Sequence, residues 1–358
     1  MAEIGIVGAG ILGLLSARRL AAQGHQVTLW SAPQRHPPAS WAGGGILSAL
    51  FPWRYPDALT RLTRHALADY QQLSAALAQE GWPGLELVES GLLMPGVADT
   101  ATALSWAARW DLAARVVSAA EHCGRFHDEH ALWIPSVGQL RNPRALKALA
   151  ASSRRAGVHT VDEPVQRFVA AGAGWAVQGA QQSRRVDQLL LCSGAGTAGL
   201  VQRSTGRQLP LFPARGEMLC YAPGIEPPPC IILREQGYVI PRADGTLLVG
   251  STLTESADGR PTAGGGRVLQ ELAETLWPPL AGRLPFAQWA GIRPGCRASV
   301  PILSELPEAP GVFIASGHFR NGLVAAPASA ALITALMTGT AAPFDPAPYA
   351  LSSSSSPP

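Results

Sequence analysis

The sequence predicts an α/β chain in which a parallel, doubly wound sheet is interrupted by a second, mostly antiparallel β domain. Three observations carry this. The chain opens MAEIGIVGAGILG, an apolar strand running into a glycine-rich turn and a helix. Far downstream, the apolar strands of VDQLLLCSGAG and VFIASG would return the chain to that sheet. Between these two returns, residues 209 to 288 are dominated by strands.

Residues 3–8 read as a buried parallel strand, GAGILG as the turn, and residues 12–23 as a helix closed by Gly24. QVTLW at 26–30 supplies the next strand and completes a β-turn-α-β unit of Rossmann type. A Pro- and Gly-rich loop covers 31–45. Residues 57–80 carry apolar positions at helical spacing and predict one long helix. From 84 to 141 the pattern changes: short strands such as LELVESGLLMP flank a helix near 99–109, as an inserted domain would. Helix returns at 143–156, with Asn142 as its cap and Pro143 at its first position. The strands of VHTV, VQRFVAA and WAVQGA precede VDQLLLCSGAG; GEMLCYA, CIILRE and GYVIPRADGTLLVGST follow it. Asp244–Gly245 is a hairpin-turn signal. A helix follows position 323, and the tail SSSSSPP is low-complexity and expected to be disordered.

Composition narrows the chemistry. The 358 residues suffice for one large domain or two ordinary ones, and 47% hydrophobic against 15% charged residues provide a sizeable core. A net charge of +3 with scattered basic residues argues against nucleic acid as a partner. Of the 28 basic residues only Lys147 is a lysine, and it sits on a solvated helix face, which argues against Schiff-base chemistry. Cys123, Cys192, Cys220, Cys230 and Cys296 are odd in number and form no CxxC pair. They argue against a disulfide framework and a zinc site, and for a reducing, cytoplasmic compartment. The first apolar run lacks a basic flank and is broken by glycines, so it reads as a strand rather than a signal peptide. Gly322–Gly339 comes nearest to a membrane span, but it contains Pro327 and is rich in Ala, Ser and Thr.

The GxGxxG of Gly8, Gly10 and Gly13 gains force from its place between a strand and a helix, with a second strand at the right distance. Gly8 permits the tight turn, Gly10 lets backbone approach a pyrophosphate, and Gly13 lets helix and strand pack closely. The helix N-terminus then offers free amides to the phosphates, with Ile11 and Leu12 beside them. Where an Asp or Glu usually meets the adenosine ribose, Ser31 stands, followed by Ala32. Ser31 with Arg35 also admits an NADP reading.

Three later motifs choose between cofactors. SWAGGGILS at 40–48, GIRPG at 291–295 and SGHFRNGL at 316–323, in this order, resemble the D-amino acid oxidase family of flavoenzymes. The branch most similar is that of the glycine oxidases of bacterial thiamine biosynthesis, and the likeness spans roughly 3–340. It implies a discontinuous, Rossmann-like FAD-binding domain (1–83, 142–212 and 289–345), a mostly antiparallel β substrate domain (84–141 and 213–288), and a disordered tail at 346–358. It implies non-covalent FAD, since Cys296 matches no attachment motif. It places Ala39, Ser40, Gly44, Gly45 and Ile46 under the flavin and the Val165 backbone at the adenine. It wraps His318, Phe319, Arg320, Asn321, Gly322, Leu323 and Val324 around the flavin end, where a helix N-terminus would face the pyrimidine side of the ring.

For the substrate the resemblance implies that Arg293 clamps a carboxylate, with Tyr238 and Arg320 as further substrate-side residues. On residue type alone, an arginine paired with an acid of the chain is the commoner reading of Arg293; GIRPG together with HFRNG turns the choice to the clamp. Tyr238 alone reads as a packed strand tyrosine. Leu253 is expected to shape the pocket from the returning hairpin strand. No catalytic side-chain acid or base is required, because amine oxidation in this family is hydride transfer from the α-carbon to flavin. The implied reaction is oxidative deamination of a small amino acid, glycine first, to the imine, with molecular oxygen giving hydrogen peroxide. The alternatives are a D-amino acid dehydrogenase, a sarcosine-type oxidase, an NADP-dependent dehydrogenase and a tRNA-modifying flavin domain. No metal is expected, and a homo-oligomer is compatible with this reading.

Overall fold

Strand β1 (Glu3–Val7) alternates its side chains between two cores, Ile4 and Ile6 into one and Val7 into the other. This is how a strand buried on both faces reads. In the computed structural model, which describes residues 1–33, 36–127 and 129–351, β1 lies at the centre of a six-stranded sheet. Arg35 and the tail at 352–358 lie outside the described residues. Helix α1 (Ile11–Ala22) follows the glycine turn, and strand β2 (Gln26–Trp30) pairs parallel with β1. Gln188–Leu191 pairs with the other edge of β1, Val312–Ser316 lies beyond it, and His159–Val161 lies outside β2, all parallel. Ile302–Glu305 closes the far edge antiparallel. Both expected returns of the chain therefore enter this sheet, next to each other on one side of β1.

Helices cover one face: α1, Ala326–Thr338 and Asn142–Arg155 share a core with Ile4 and Ile6. The opposite face packs on a three-stranded antiparallel sheet, 167–186, through Phe168, Val177 and Val186. A second, nine-stranded sheet is antiparallel except where Leu92–Pro95 pairs with Ile231–Arg234. Helix Ala263–Leu276 packs on its outer face through Leu269, Ala273 and Leu276. Among the described residues no helix is long and apolar enough to cross a membrane.

Four local expectations change. The helix expected over 57–80 is two helices, Asp57–Thr63 and Ala66–Gln79. At the break the Thr63 hydroxyl donates to Leu59 O (3.1 Å), a back-bond that bends helices. Asn142 does not cap its helix; Arg141 holds that position, and the Asn142 amide is used elsewhere. Strand Ala287–Cys296 pairs along its whole length with Leu211–Tyr221 in the nine-stranded sheet, so a boundary at 289 cuts through one strand. Tyr349, expected in the disordered tail, is buried and donates to Ala58 O at 2.6 Å.

Candidate active site

The glycine turn after β1 is dictated by space. Gly8 takes φ +115°, and a Cβ there would lie 2.5 Å from Cys192 O; a Cβ on Gly13 would overlap Gly8 O. Neither position tolerates a side chain, because the turn is pressed against the end of the neighbouring strand on one side and its own helix on the other. The Ile11 amide donates to Ser40 Oγ at 3.1 Å. The Leu12 and Gly13 amides find no acceptor among the described residues, and the first turn of α1 holds no acidic side chain. A helix start with spare donors and no carboxylate favours an anion.

This turn forms one end of a cavity of about 660 Å³, within the range of small-molecule and cofactor sites. Beside it, at the ends of β2 and of His159–Val161, lie Ser31 and Val165; the Ser31 amide donates to Val161 O at 2.9 Å. The middle is lined by residues 39–46, a short helix, Ala39–Ala42, running into the glycine turn. The far end is lined by Tyr238, Ser251, Arg293 and Arg320. All the positions expected to touch cofactor or substrate line this cavity except Gly13, Asn321 and Val324. Gly13 acts one layer behind, as helix–strand packing. Asn321 is buried and lines a neighbouring cavity of about 380 Å³, and Val324 turns into the core shared with α1. The helix expected to aim at the flavin opens only at Ala326, in that same core. Leu253 is 53% exposed and lies off the cavity, so it does not shape the pocket.

Arg293 is the informative residue. Its guanidinium lies across the adjacent strand at Gly216, where a Cβ would overlap it. It donates to Ser251 Oγ at 2.9 Å and to Thr252 O at 3.3 Å. Among the described residues no carboxylate pairs with it, so the acid that a structural ion pair needs is not among its partners. Burial holds its pKa below the usual guanidinium value; Tyr238 opposes that shift and the Arg320 charge adds to it. A largely enclosed cation with only neutral partners is an incomplete ion pair. Tyr238, buried nearby, donates only to Met218 Sδ (3.3 Å), a weak acceptor. Arg320 is exposed at the rim, stacks on Phe319 and donates to Tyr55 Oη at 3.1 Å.

His318 is fully enclosed. Its Nε2 meets Ser329 Oγ at 3.0 Å, and burial pushes its pKa down to about 3, so the imidazole is neutral. Its Nδ1 is buried without a partner, as is Asn142 Oδ1. Both residues line the cavity, and such orphans point to a polar ligand there. Asn142 was missed as a site residue because Asn-Pro before a helical stretch is an ordinary helix-start signal. Its amide instead donates to Ser40 O at 2.9 Å and ties the loop to the helix. Glu163 was also missed: it lines the adenosine end next to Ser31, with one carboxylate oxygen accepting from Gln181 N at 2.7 Å and the other unpaired. Gly216 and Ser251 had no sequence signal at all.

The residues fit a flavin dinucleotide: a phosphate-binding helix start at one end, small residues along the middle, and spare buried donors and acceptors between. Comparison with known proteins agrees. The DAO family model, described as FAD dependent oxidoreductase, matches residues 3–336. The chain is 37% identical over 354 residues to a glycine oxidase of Pseudomonas aeruginosa, covering 96% of this chain and 97% of that one. It is 38% identical to a glycine oxidase of Pseudomonas putida, covering 97% and 98%. Its fold superposes on the crystal structure of glycine oxidase from Geobacillus kaustophilus with a TM-score of 0.92, at 26% identity and 99% coverage of each chain.

Proposed function

We propose, for a chain that belongs to the DAO family of FAD-dependent oxidoreductases, that it oxidises a small amino acid, glycine first, to the imine, with molecular oxygen as the final acceptor and hydrogen peroxide as a product. The single observation that carries the substrate class is Arg293, a largely enclosed cation that pairs with no acid among the described residues, in the same cavity as the dinucleotide turn. An α-carboxylate completes that ion pair through two parallel charge-assisted hydrogen bonds.

FAD, bound without a covalent link, supplies the two-electron acceptor for the hydride of the substrate α-carbon. The chain's own residues do the rest. Arg293 and Tyr238 fix the carboxylate, which sets where the α-carbon lies and turns a collision into a positioned reaction. Ser251 and Thr252 hold the guanidinium between them. The positive charge of Arg293 beside the site disfavours a second cation, so the amine reacts in its neutral form. The neutral His318 and the phenol of Tyr238 leave the far end without a carboxylate base, as hydride transfer allows. Gly8, Gly10 and the Leu12 amide serve the pyrophosphate, Ser31 and Val165 the adenosine, and Ser40, Gly44, Gly45 and Ile46 the ring. The parallel-sheet layer then carries the dinucleotide and the nine-stranded sheet covers the reacting end, in a cytoplasmic enzyme.

The test is peroxide release by purified protein with glycine, sarcosine and a panel of D-amino acids. A yellow protein whose flavin is reduced by glycine, with peroxide formed in air, is expected. A colourless protein, or a flavin that none of these amines reduces, would sink the reading. Reduction by a D-amino acid but not by glycine would replace the substrate and keep the clamp.

A further inference from the structure

Tyr238 lies on strand Gly237–Pro241, and positions two apart along an extended chain share a face. Ile240 and Arg242 continue its row. All three meet the same short segment: a Cβ on Gly44 would lie 2.7 Å from Ile240 Cδ1 and 3.0 Å from the Tyr238 ring, while Arg242 Nη2 donates to Gly44 O at 2.7 Å. The other arm of the guanidinium donates to Gln139 Oε1 (2.8 Å) and Leu140 O (3.0 Å). Gln139 is buried and in turn donates to Pro241 O at 2.8 Å. Leu140 N donates to Gly45 O at 3.0 Å, so the guanidinium spans two chain segments that already pair with each other.

Arg242 itself does not line the cavity; Gly44 and Gly45 do. In a trans peptide the carbonyl and the following N–H point in opposite directions. With Gly44 O turned back onto Arg242, the Gly45 N–H on the same peptide points away from it, and among the described residues that N–H has no acceptor. A cation bonded to the carbonyl polarises the peptide and makes its N–H a stronger donor. Among the described residues no carboxylate bonds Arg242: Glu86 and Asp244 act on it only at a distance and are held by Arg141 and Arg144. Burial lowers its pKa to about 10, which leaves it charged at neutral pH.

We propose that Arg242 is a positioning residue for the flavin: it fixes the Gly44–Gly45 peptide from behind, aims and strengthens the Gly45 donor, and so favours the reduced, more negative form of the ring. Preorganised donors of this kind act where negative charge develops. Tyr238 stands on the same strand face, so one row of side chains sets both the substrate phenol and the cofactor loop.

The test uses apoprotein reconstituted with FAD, in wild type and in R242M and R242K. FAD affinity is read by quenching of flavin fluorescence and the midpoint potential by dye equilibration, with circular dichroism as the fold control. In R242M we expect FAD affinity to fall at least tenfold. The ratio of affinities for reduced and oxidised flavin should also fall about tenfold, which makes the potential about 30 mV more negative. R242K should recover most of the potential, because the charge returns. It should not recover the affinity, because an ammonium cannot span Gly44 O and the 139–140 segment together. A folded R242M with wild-type affinity and potential overturns the proposal, and so does an R242K potential shifted as far as that of R242M. If R242M does not fold, R242K decides: unchanged FAD affinity there refutes the strut. A wild-type protein that binds no FAD would be a failure of the cofactor reading instead, and is seen before any variant is made.

Discussion

At the dinucleotide end of the cavity, Gly8, Gly10 and Gly13 lie within six consecutive residues of the chain, and the geometry that makes them useful is local. At the reacting end, Tyr238, Ser251, Arg293 and Arg320 arrive from separate segments. The first region consists of backbone that needs space and spare amides. The second consists of charge that needs a partner. A glycine turn is spoiled by adding atoms, whereas the buried guanidinium is spoiled by removing them, and the two failures have different signatures.

The largest effect is expected where space is least. Gly13→Val would drive side-chain atoms into Gly8 O, and no folded, flavin-binding protein should be recovered, as judged by circular dichroism and flavin content. Folded, yellow Gly13→Val protein would mean that the local end is less constrained than its geometry states.

Arg293→Leu should separate function from stability. Removing one partner of a buried charged hydrogen-bonded pair costs about 2–5 kcal/mol of substrate binding, so kcat/KM for glycine should fall by roughly 10²-fold or more. The apoprotein should melt no lower than wild type, because an uncompensated buried cation is removed. A strong loss of stability with little change in KM would make Arg293 structural after all.

His318 joins the two regions through pH. Its folded pKa, about 3, lies below the ordinary 6.5. The unfolded chain therefore binds a proton that the folded chain refuses between these values. Stability is fully present above pH 6.5 and is lost as pH falls toward 3. At pH 5 the loss is about 2 kcal/mol. Urea titrations at pH 8 and pH 5 should show that loss in wild type and not in His318→Gln; equal losses in both would refute it.

The smallest effect is expected from Tyr238→Phe. Its phenol donates only to a thioether in the free protein, and one hydrogen bond to the charged carboxylate at this partly open end is worth about 1.5 kcal/mol. KM for glycine should rise about tenfold in steady-state assays, with the flavin spectrum unchanged. A change of several hundredfold would give the phenol a larger role than its partner here implies.

The parallel sheet was readable because its strands are apolar runs and its turn is a contiguous glycine pattern. The division of 57–80 into two helices was not, because a Thr63 back-bond leaves the apolar spacing intact. Asn142 looked like a cap because its neighbours form a helix start; only the folded chain brings Ser40 O to its amide. Leu253 followed a pocket pattern, yet it falls beyond the end of Leu247–Gly250, where the chain turns outward. Gly216 matters solely because Arg293 crosses it from the neighbouring strand.

By itself the sequence determined the fold class, the dinucleotide turn and the residue types at the reacting end, since these rest on local backbone preference and on motifs of a few residues. The tertiary structure alone decided that Arg293 meets no acid among the described residues, that Arg242 holds the Gly44 carbonyl, and that His318 is enclosed. Each is a statement about what else lies within a few ångströms. That is fixed by how distant strands converge, and no stretch of sequence carries it.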